Sequence, residues 1–459
     1  MVKNKATTVA WRSFALLLLC TLAHGQRLTE EIDSMLRVQF KPNEPGAVAL
    51  VAKNGNLVYR KAFGLAEVEN QVQMTPQHVF GIGSMSKQFT AVGILMLMEQ
   101  GLLTLEDSLT KYIPDYPPIG NKITLHHLLT HTSGIKSYTE MEKWRKVWRT
   151  DMNTDEMISL FKDEPVDFVP GEKWHYSNSG YFLLGVIIEK VSGMTYGEFV
   201  TKRIFEPLQM NNTFYGSHSR IIPNRARGYQ RSNALRNAEY LSYTQPYSAG
   251  AIMSTADDLY TWHQAIQNHV LLKEETLKKA FTNYTITNGH PTYYGYGWMI
   301  DEINGSQTRE HSGGIFGYSS NSIYLPQEDV YVVVLSNCNC NSPVEISIRI
   351  AASTIGKPYP KPIAKVKIDD KHAKSLVGTY VFEDGSSRAI TVENGQFFSQ
   401  RMGSVKLKIF PQDNSSFVFE TGLSSLHFIT EKKLPTKVLL KNRVEIIRGS
   451  RTETPKKVP

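Results

Sequence analysis

The first clear hydrophobic pattern in the chain is a pair of short apolar runs on either side of a tight turn. Residues 47–52 and 57–59 are mostly apolar and flank Asn54-Gly55. Asparagine and glycine readily adopt the positive φ angles that a two-residue hairpin turn requires. The pattern therefore predicts a β-hairpin near the start of the folded chain.

Two later stretches have the length and composition of buried helices. Residues from Ser84 to about Gln100 are apolar on nearly every side and stop at Gly101, and residues 181–191 stop at Ser192-Gly193. Glycine is common just after the last helical turn, and a helix that is apolar all round belongs inside a core. The first helix would give a catalytic group a rigid support.

Glycines alternate with β-branched and aromatic residues further along the chain. This composition covers residues 294–298, 313–325 and 330–335 and is typical of antiparallel strands. Strands at both ends with helices between them predict one α+β domain, an antiparallel sheet flanked by helices with an all-helical lobe. Its sheet would close only when the C-terminal strands meet the N-terminal hairpin.

A proline-rich segment separates this region from a second pattern. Pro358, Pro360 and Pro362 alternate with polar residues and predict a stiff linker. After it, short alternating strands recur with a turn at Asn394-Gly395, as in a small all-β barrel or sandwich. The sequence thus predicts four segments: a signal peptide over 1–25, the α+β domain over 26–356, a linker over 357–367 and an all-β domain over 368–459.

The first 25 residues have the layout of an export signal. A positively charged start precedes an apolar stretch over 14–22, and Ala23-His24-Gly25 offers small residues for cleavage before Gln26. We therefore expect an exported protein, periplasmic or secreted. No stable membrane span is expected after cleavage, because the stretch is shorter than the roughly 20 residues that a span needs. An uncleaved anchor and lipid attachment at Cys20 are the alternatives.

Composition and charge exclude several classes of protein. Hydrophobic residues make up 41% of the chain and charged residues 20%, which is ordinary for a folded protein. The net charge of +8 is spread along the chain and forms no concentrated basic patch. We therefore expect a small-molecule or peptide substrate, no nucleic-acid partner and no cofactor.

The cysteines and histidines suggest neither a disulfide scaffold nor a metal centre. Cys338 and Cys340 are the only cysteines after signal removal, and a bridge between positions two apart on a strand is awkward, so thiols are expected. His127 and His131 stand four apart, a spacing that zinc sites use. Glutamate is missing after the first histidine and no third ligand is signalled, so no metal site is predicted.

A serine and a lysine stand three residues apart at the start of the first buried helix, in Ser84-Met-Ser-Lys87. Residues at this spacing project from the same helical face, so Lys87 can reach the Ser84 hydroxyl. Burial lowers the pKa of a lysine, which lets a neutral amine take a proton. By itself the motif is weak, because such a pair is more often a capping serine followed by a solvated lysine. Ser86 has no lysine three residues on, so we assign it a supporting role.

Two further motifs follow in order. Tyr176-Ser-Asn178 lies between a Pro-Gly turn and a helix, where its side chains can reach the lip of a cleft. His311-Ser-Gly313-Gly314 leads into a strand-like run and offers a cation or a donor beside glycines that permit close approach of a substrate. Taken alone, Tyr176 is more typical of an ordinary packing aromatic residue.

The three motifs together resemble those of the serine β-lactamase-like superfamily, in the branch of class C β-lactamases with their D-Ala-D-Ala carboxypeptidase and esterase relatives. The resemblance covers about residues 35 to 355. It extends to Pro45-Gly46 and to the stretches 123–134, 248–255 and 294–298. The all-β tail is similar to the lipocalin-like modules appended to some of these hydrolases.

The resemblance implies a role for each motif residue. Ser84 would be acylated, with Lys87 and Tyr176 moving protons to and from it. Asn178 would bind the substrate amide and orient Lys87. The backbone N–H groups of Ser84 and Gly314 would form the oxyanion hole, with Gly313 beside them.

His311 departs from the pattern, because many β-lactamases have a lysine there. In the family's terms it would help to bind a substrate carboxylate or tune Tyr176. Within the resemblance, this departure favours a peptidase or an esterase over a β-lactamase. The predicted function is a serine hydrolase that acts through an acyl-enzyme on an amide or ester bond. The alternatives are a β-lactamase, a non-catalytic penicillin-binding-like protein and a metallohydrolase.

Overall fold

The computed structural model describes residues 26–360, 362–383, 385–420, 422–431 and 434–452. The predicted export signal and Cys20 lie outside the described residues. The chain divides into two compact units, of which the first runs to Ile300 and resumes over Gln307–Ala351. The second comprises Asp301–Ser306 and the chain from Ala352 onward. Within the described ranges, no helix combines the length and the apolar character needed to cross a membrane.

The first unit contains a six-stranded sheet that joins both ends of its sequence. In spatial order its strands are Met299–Ile303, Ser306–Ile315, Tyr318–Leu325, Val330–Ser336, Ala47–Lys53 and Asn56–Phe63. Ala47 pairs antiparallel with Ser336, so the N-terminal hairpin completes the sheet as predicted. The hairpin turn is confirmed as well, since Asn54 and Gly55 have φ angles of 52° and 70°.

Helices lie before, between and after the strands of this sheet. They cover residues 26–39, Ser86–Glu99, Leu109–Tyr112, Leu125–Leu129, Glu142–Arg145, Thr154–Ser159, Asn178–Ser192, Tyr196–Val200, Tyr247–Gly250, Ala256–Gln267, Glu274–Ala280 and Val344–Thr354. Shorter turns of 3₁₀ or π type lie at Gly83–Met85, Pro118–Lys122, Tyr138–Glu140 and Thr201–Phe205. Short strands interrupt them at Leu65–Glu67, Val72–Gln73, Phe80–Gly81, Phe214–Tyr215, Tyr229–Arg231, Leu235–Asn237 and Ile252–Ser254. The predicted α+β class is confirmed.

The Ser86–Glu99 helix is the buried element of this unit. Every residue from Ser86 to Leu95 is buried, which matches its apolar composition. It packs against the Asn178–Ser192 helix and the Tyr247–Gly250 helix. Gly185 allows these two helices to pack closely against each other, because a Cβ atom there would lie 2.1 Å from the Ser248 hydroxyl oxygen. Three segments far apart in sequence therefore meet around one end of the buried helix.

The second unit contains a closed antiparallel barrel of eight strands, which confirms the predicted all-β domain and decides for a barrel over a sandwich. The strands are Gly378–Phe382, Ser387–Glu393, Gln396–Arg401, Lys406–Pro411, Ser416–Phe419, Ser424–Glu431, Leu434–Asn442 and Glu445–Arg451, after a helix at Asp370–Leu376. Tyr380 pairs with Arg451 where the first and last strands close the barrel. Leu376, Tyr380 and Phe417 are among the residues that fill its core.

The prediction for the cysteines is wrong, because Cys338 and Cys340 form a disulfide. The prediction assumed an extended strand, in which positions two apart lie about 6.6 Å from each other. The strand instead ends at Ser336, and the chain turns, so the two Cα atoms are only 5.1 Å apart. That separation lies within the range that disulfides bridge.

Candidate active site

Ser84 is the middle residue of the Gly83–Met85 turn, directly before the Ser86–Glu99 helix. Gly83 has a φ angle of +52°, and a Cβ atom there would lie 2.8 Å from the backbone nitrogen of Gly314. Only glycine combines this backbone conformation with so close an approach. The turn thus holds the half-buried Ser84 beside the Ser306–Ile315 strand.

The side chain of Lys87 is completely buried and directed at Ser84. Its Nζ lies 3.2 Å from Ser84 Oγ, 2.7 Å from Asn178 Oδ1 and 2.8 Å from the carbonyl oxygen of Ala249. No carboxylate of the described residues forms an ion pair with it. Burial lowers the pKa of Lys87 well below its usual value. The site thus favours the neutral amine.

The partners of Lys87 determine where its lone pair points. The Asn178 Oδ1 atom and the Ala249 carbonyl can only accept hydrogen bonds. A neutral amine has two N–H donors, and these two acceptors use both of them. The lone pair is then left for the hydroxyl of Ser84, in the arrangement that a general base needs.

Tyr176 lies against Lys87, with Lys87 Nζ 4.8 Å from the centre of its ring. Its buried hydroxyl completes no hydrogen bond of normal geometry within the described part of the chain. Burial raises the pKa of Tyr176, and the nearby Ser84 hydroxyl offsets only part of that rise. Tyr176 is therefore a protonated phenol whose donor is unused, beside Ser84.

Asn178 opens the Asn178–Ser192 helix and is fixed at three points. Its backbone N–H donates to Ser137 Oγ over 3.1 Å, and its side-chain Nδ2 donates to Thr139 Oγ1 over 3.0 Å. The side-chain oxygen is left to face Lys87. The Tyr138–Glu140 turn therefore orients the amide that orients Lys87.

His311 lies within the Ser306–Ile315 strand, whereas the sequence suggested that its motif precedes the strand. Burial, reinforced by the positive charge that Lys87 can carry, lowers the pKa of His311 to about 3. Its Nδ1 lies 2.6 Å from the carbonyl oxygen of Ser312, and its Nε2 lies 2.8 Å from the Tyr294 hydroxyl. A neutral imidazole that donates from Nδ1 and accepts at Nε2 satisfies both partners. Of the two forms considered, cation or neutral donor, burial favours the neutral one.

The two glycines after His311 differ in what surrounds them. A Cβ atom at Gly313 would lie 1.9 Å from the carbonyl oxygen of Ile82, whereas one at Gly314 would meet nothing within 4 Å. Gly314 lines a cavity of about 100 Å³ together with Ser84 and Asn178. The rest of its wall is mostly apolar or aromatic and includes Tyr138, Trp144, Leu241, Ile315 and Phe316.

The Beta-lactamase family model matches residues 32–353, most of the first unit and 70% of the chain. The chain belongs to the Beta-lactamase family. Penicillin-binding protein 4* of Bacillus subtilis (strain 168) is 30% identical over 419 residues, which are 85% of this chain and 92% of that protein. Protein flp of Staphylococcus aureus (strain MW2) is 28% identical over 68% of this chain and 63% of its own length.

Solved structures agree with this assignment. The octameric penicillin-binding protein homologue from Pyrococcus abyssi has a TM-score of 0.65 at 27% identity and covers 92% of this chain and 99% of its own. A D-stereospecific amidohydrolase from Streptomyces sp. has a TM-score of 0.61 at 27% identity, over 70% of this chain and 97% of its own. Family membership supports a serine hydrolase in the broad sense, and the eight-stranded barrel fits a lipocalin-like module.

Three residues were not predicted from the sequence to belong to this Beta-lactamase family site, and one of them, His131, was considered only as a zinc ligand. Ala249 supplies the carbonyl that binds Lys87, and Tyr294 contacts His311. The ring of His131 lies 4.3 Å from the ring of Tyr176, centre to centre. All three fall in stretches that resemble the family, and this was the one signal that could have found them.

His127 and His131 do not share a helical face, contrary to the spacing argument for zinc. The helix covers only Leu125–Leu129, and His131 has a left-handed φ of 60°. His131 Nδ1 instead accepts the backbone N–H of Ser177 over 3.1 Å, and burial lowers its pKa well below the usual value. Its position behind Tyr176 makes it part of the Beta-lactamase family site.

Ser86 has a structural contact in this Beta-lactamase family protein. Its Oγ accepts the backbone N–H of Ile252 over 3.1 Å, and the residue is completely buried. It therefore ties the start of the buried helix to the Ile252–Ser254 strand, in agreement with the supporting role expected for it.

Proposed function

We propose that this Beta-lactamase family protein hydrolyses an amide or ester bond through an acyl-enzyme formed at Ser84. One observation carries the proposal: Lys87 is completely buried, has no ion pair among the described residues, and has two acceptor partners that leave its lone pair for the Ser84 hydroxyl. An activated serine of this kind is the requirement for covalent acyl transfer.

In the acylation step, Ser84 Oγ bonds to the substrate carbonyl carbon while its proton passes to Lys87 Nζ. The carbonyl oxygen becomes an oxyanion, and we assign the backbone N–H groups of Ser84 and Gly314 to stabilise it. Collapse breaks the bond to the leaving group. Tyr176 gives that group its phenolic proton and recovers one from the Lys87 ammonium, which restores the neutral amine.

In the second step, water attacks the acyl-enzyme. Its proton passes through Tyr176 and Lys87, and Ser84 recovers its own proton as the acid product leaves. The unused hydroxyl donor of Tyr176 supports this relay, because a buried donor without a partner is costly unless a ligand satisfies it.

We propose a peptidase of the D-amino-acid peptide or carboxypeptidase type, or an esterase, as the activity. The similarity to a D-stereospecific amidohydrolase and to penicillin-binding proteins supports this choice. The neutral, buried His311 supports it as well, because it offers no cation where many β-lactamases have a lysine. Rapid turnover of nitrocefin with no turnover of D-aminoacyl anilides or p-nitrophenyl acetate would favour a β-lactamase instead.

We also propose that the protein is exported and that its mature chain opens at Gln26. The charged start, apolar stretch and small residues of the first 25 positions support this proposal. N-terminal sequencing of the protein from an expressing cell checks it. An intact Met1 on the fully processed protein would contradict it.

A fluorophosphonate probe tests the nucleophile. The wild type should be labelled, and the labelled peptide should contain Ser84. Ser84→Ala should remove the label, while Ser86→Ala is the matched control because the Ser86 hydroxyl accepts a hydrogen bond from the Ile252 backbone. Labelling that survives Ser84→Ala would end the assignment. A wild type that takes up no probe and turns over no substrate would favour a non-catalytic binding protein.

A further inference from the structure

A second cavity adjoins the one that contains Ser84. Its volume is about 260 Å³, and Leu241, Ile315 and Phe316 line both cavities. Gly314, which directly precedes Ile315, lines only the Ser84 cavity. A substrate held at Ser84 can therefore continue across Ile315 and Phe316 into the second cavity.

Arg225 is the half-buried cation in the wall of this second cavity. Its backbone is anchored on both sides, because Val79 N–H donates to the Asn224 carbonyl over 2.9 Å and Ala226 N–H donates to the Val79 carbonyl over 3.0 Å. The side chain donates to the Tyr243 hydroxyl over 2.9 Å and to the Ser217 carbonyl over 3.4 Å. A guanidinium has five N–H donors, so donors remain for a ligand.

The charge of Arg225 is not balanced by the protein. No carboxylate of the described residues forms an ion pair with it. Arg227, also in the wall, pairs with Glu67 at 3.3 Å and Glu69 at 3.4 Å. Arg225 therefore differs from its neighbour two residues away, whose positive charge is already matched.

The Glu239 carboxylate and the His218 imidazole in the wall are also engaged. Glu239 binds Arg149 over 3.0 Å and lies 3.8 Å from Arg236, so its negative charge is held by two arginines. His218 Nε2 lies 2.8 Å from the Leu241 carbonyl. The tyrosine hydroxyl on which Arg225 rests also contacts Met253 Sδ at 3.5 Å. The cavity thus presents one guanidinium that has no carboxylate partner among the described residues, in a wall that also contains Ile315 and Phe316.

We propose that the second cavity binds a carboxylate carried by the substrate, with Arg225 as its ligand, so that the enzyme prefers substrates with an acidic group. The planar guanidinium matches a carboxylate with two parallel hydrogen bonds, and partial burial strengthens such a pair. The preference rests on the proposed function, since Ser84 must act on the substrate that fills both cavities. The existence of the carboxylate-binding site does not rest on the proposed function.

Matched esters measure the preference. On the acyl side, the mono-p-nitrophenyl esters of adipic, pimelic and suberic acid are compared with the p-nitrophenyl esters of hexanoic, heptanoic and octanoic acid. On the leaving-group side, 4-acetoxybenzoate is compared with 4-acetoxybenzamide. The readout is the ratio of kcat/KM for the acidic and the neutral member, so a general loss of activity cancels.

We expect a ratio of about ten to a hundred in one of the two series, which is the size of one or two charge-assisted hydrogen bonds. Arg225→Gln should bring that ratio close to one, and Arg225→Lys should leave part of it. Arg227→Gln is the matched control and should keep the ratio, because its charge is paired with Glu67 and Glu69. If Arg225→Gln does not fold, as judged by circular dichroism, Arg225→Lys takes its place: a kcat/KM ratio below that of the wild type supports the subsite, and an unchanged ratio overturns it.

Binding to the Ser84→Ala protein separates this proposal from the proposed function. Calorimetry with the same esters gives the ratio of dissociation constants without any hydrolysis. Turnover without a preference in either series would overturn the acidic subsite while leaving the hydrolase intact. An absence of turnover, with Arg225-dependent tight binding of the acidic esters, would keep the subsite and reject the hydrolase. A preference that persists in Arg225→Gln would also overturn the subsite.

Discussion

Replacing Lys87 by methionine should change how stability depends on pH. Burial lowers the pKa of Lys87 in the folded protein, whereas the unfolded chain binds its proton up to about pH 10.4. Between these two pKa values the unfolded state holds one more proton than the folded state. The free energy of unfolding must then rise with pH by about 1.4 kcal/mol per pH unit, and Lys87→Met removes this contribution.

The change of the unfolding free energy with pH is a better measure of the Lys87 pKa than the unfolding free energy at a single pH. Lys87→Met also takes the donors away from Asn178 Oδ1 and the Ala249 carbonyl, and each buried acceptor left alone costs about 1–3 kcal/mol. This loss does not depend on pH. Over two pH units inside the window, the proton linkage changes the difference between the two proteins by about 2.7 kcal/mol.

Urea unfolding followed by tryptophan fluorescence, from pH 5 to pH 10, measures this difference. After residue 25, every tryptophan lies between residues 144 and 298 in the first unit, so the fluorescence signal reports the first unit and not the barrel. Lys190→Met, at an exposed position of the Asn178–Ser192 helix, controls for the substitution itself. The pH at which the extra slope disappears gives the pKa of Lys87. Parallel curves for wild type and Lys87→Met would refute the neutral amine, and with it the case for Lys87 as the base.

Three further outcomes test the surroundings of the nucleophile. Gly313→Ala should destabilise the first unit by several kcal/mol in the same urea assay, because its Cβ would lie 1.9 Å from a backbone oxygen. Gly314→Ala should fold and should instead lower kcat/KM, because its methyl group narrows the cavity. Equal stability of the two variants would contradict this description of the packing. Tyr294→Phe should cost about 1–3 kcal/mol by leaving His311 Nε2 without its donor, and an unchanged urea midpoint would show that the contact is not a hydrogen bond. Because the pKa of His311 is about 3, its imidazole stays neutral from pH 5 to 8 and becomes charged only as the pH falls toward 3. The pH profiles of kcat/KM for His311→Gln and wild type should therefore run parallel from pH 5 to 8. A wild-type change in kcat/KM near pH 6.5 that the variant lacks would contradict this.

Local patterns predicted most of the elements that build the fold. The Asn54-Gly55 and Asn394-Gly395 turns follow from the backbone freedom of those residues, and both have positive φ angles at each position. The apolar composition around Lys87 predicted its helix, although the helix begins at Ser86 because Gly83–Met85 forms a separate turn. Predictions that assumed regular structure failed where the chain turns, as at Cys338-Cys340.

The sequence predicted only those residues of the site that lie in recognisable motifs. Ser84, Lys87 and Asn178 come together as the ordered motifs suggested. The contact of Lys87 with the Ala249 carbonyl has no sequence signal of its own, because any residue offers a backbone oxygen. The charge state of His311 likewise depends on burial by distant segments, which no local pattern contains.

Together, the two proposals assign bond cleavage to the cavity that contains Ser84 and recognition of the substrate's charge to the neighbouring cavity. Around Ser84, burial favours the neutral forms of Lys87, Tyr176 and His311, which suits proton transfer but provides no fixed charge to hold an anionic substrate. A permanent cation next to Lys87 would lower its pKa further, whereas a carboxylate there would raise it and stop it acting as a base near neutral pH. A guanidinium in a neighbouring cavity avoids both effects, since it can bind a carboxylate at a distance from the reacting atoms. An acidic substrate would then be recognised by Arg225 without changing the protonation of the base that activates Ser84.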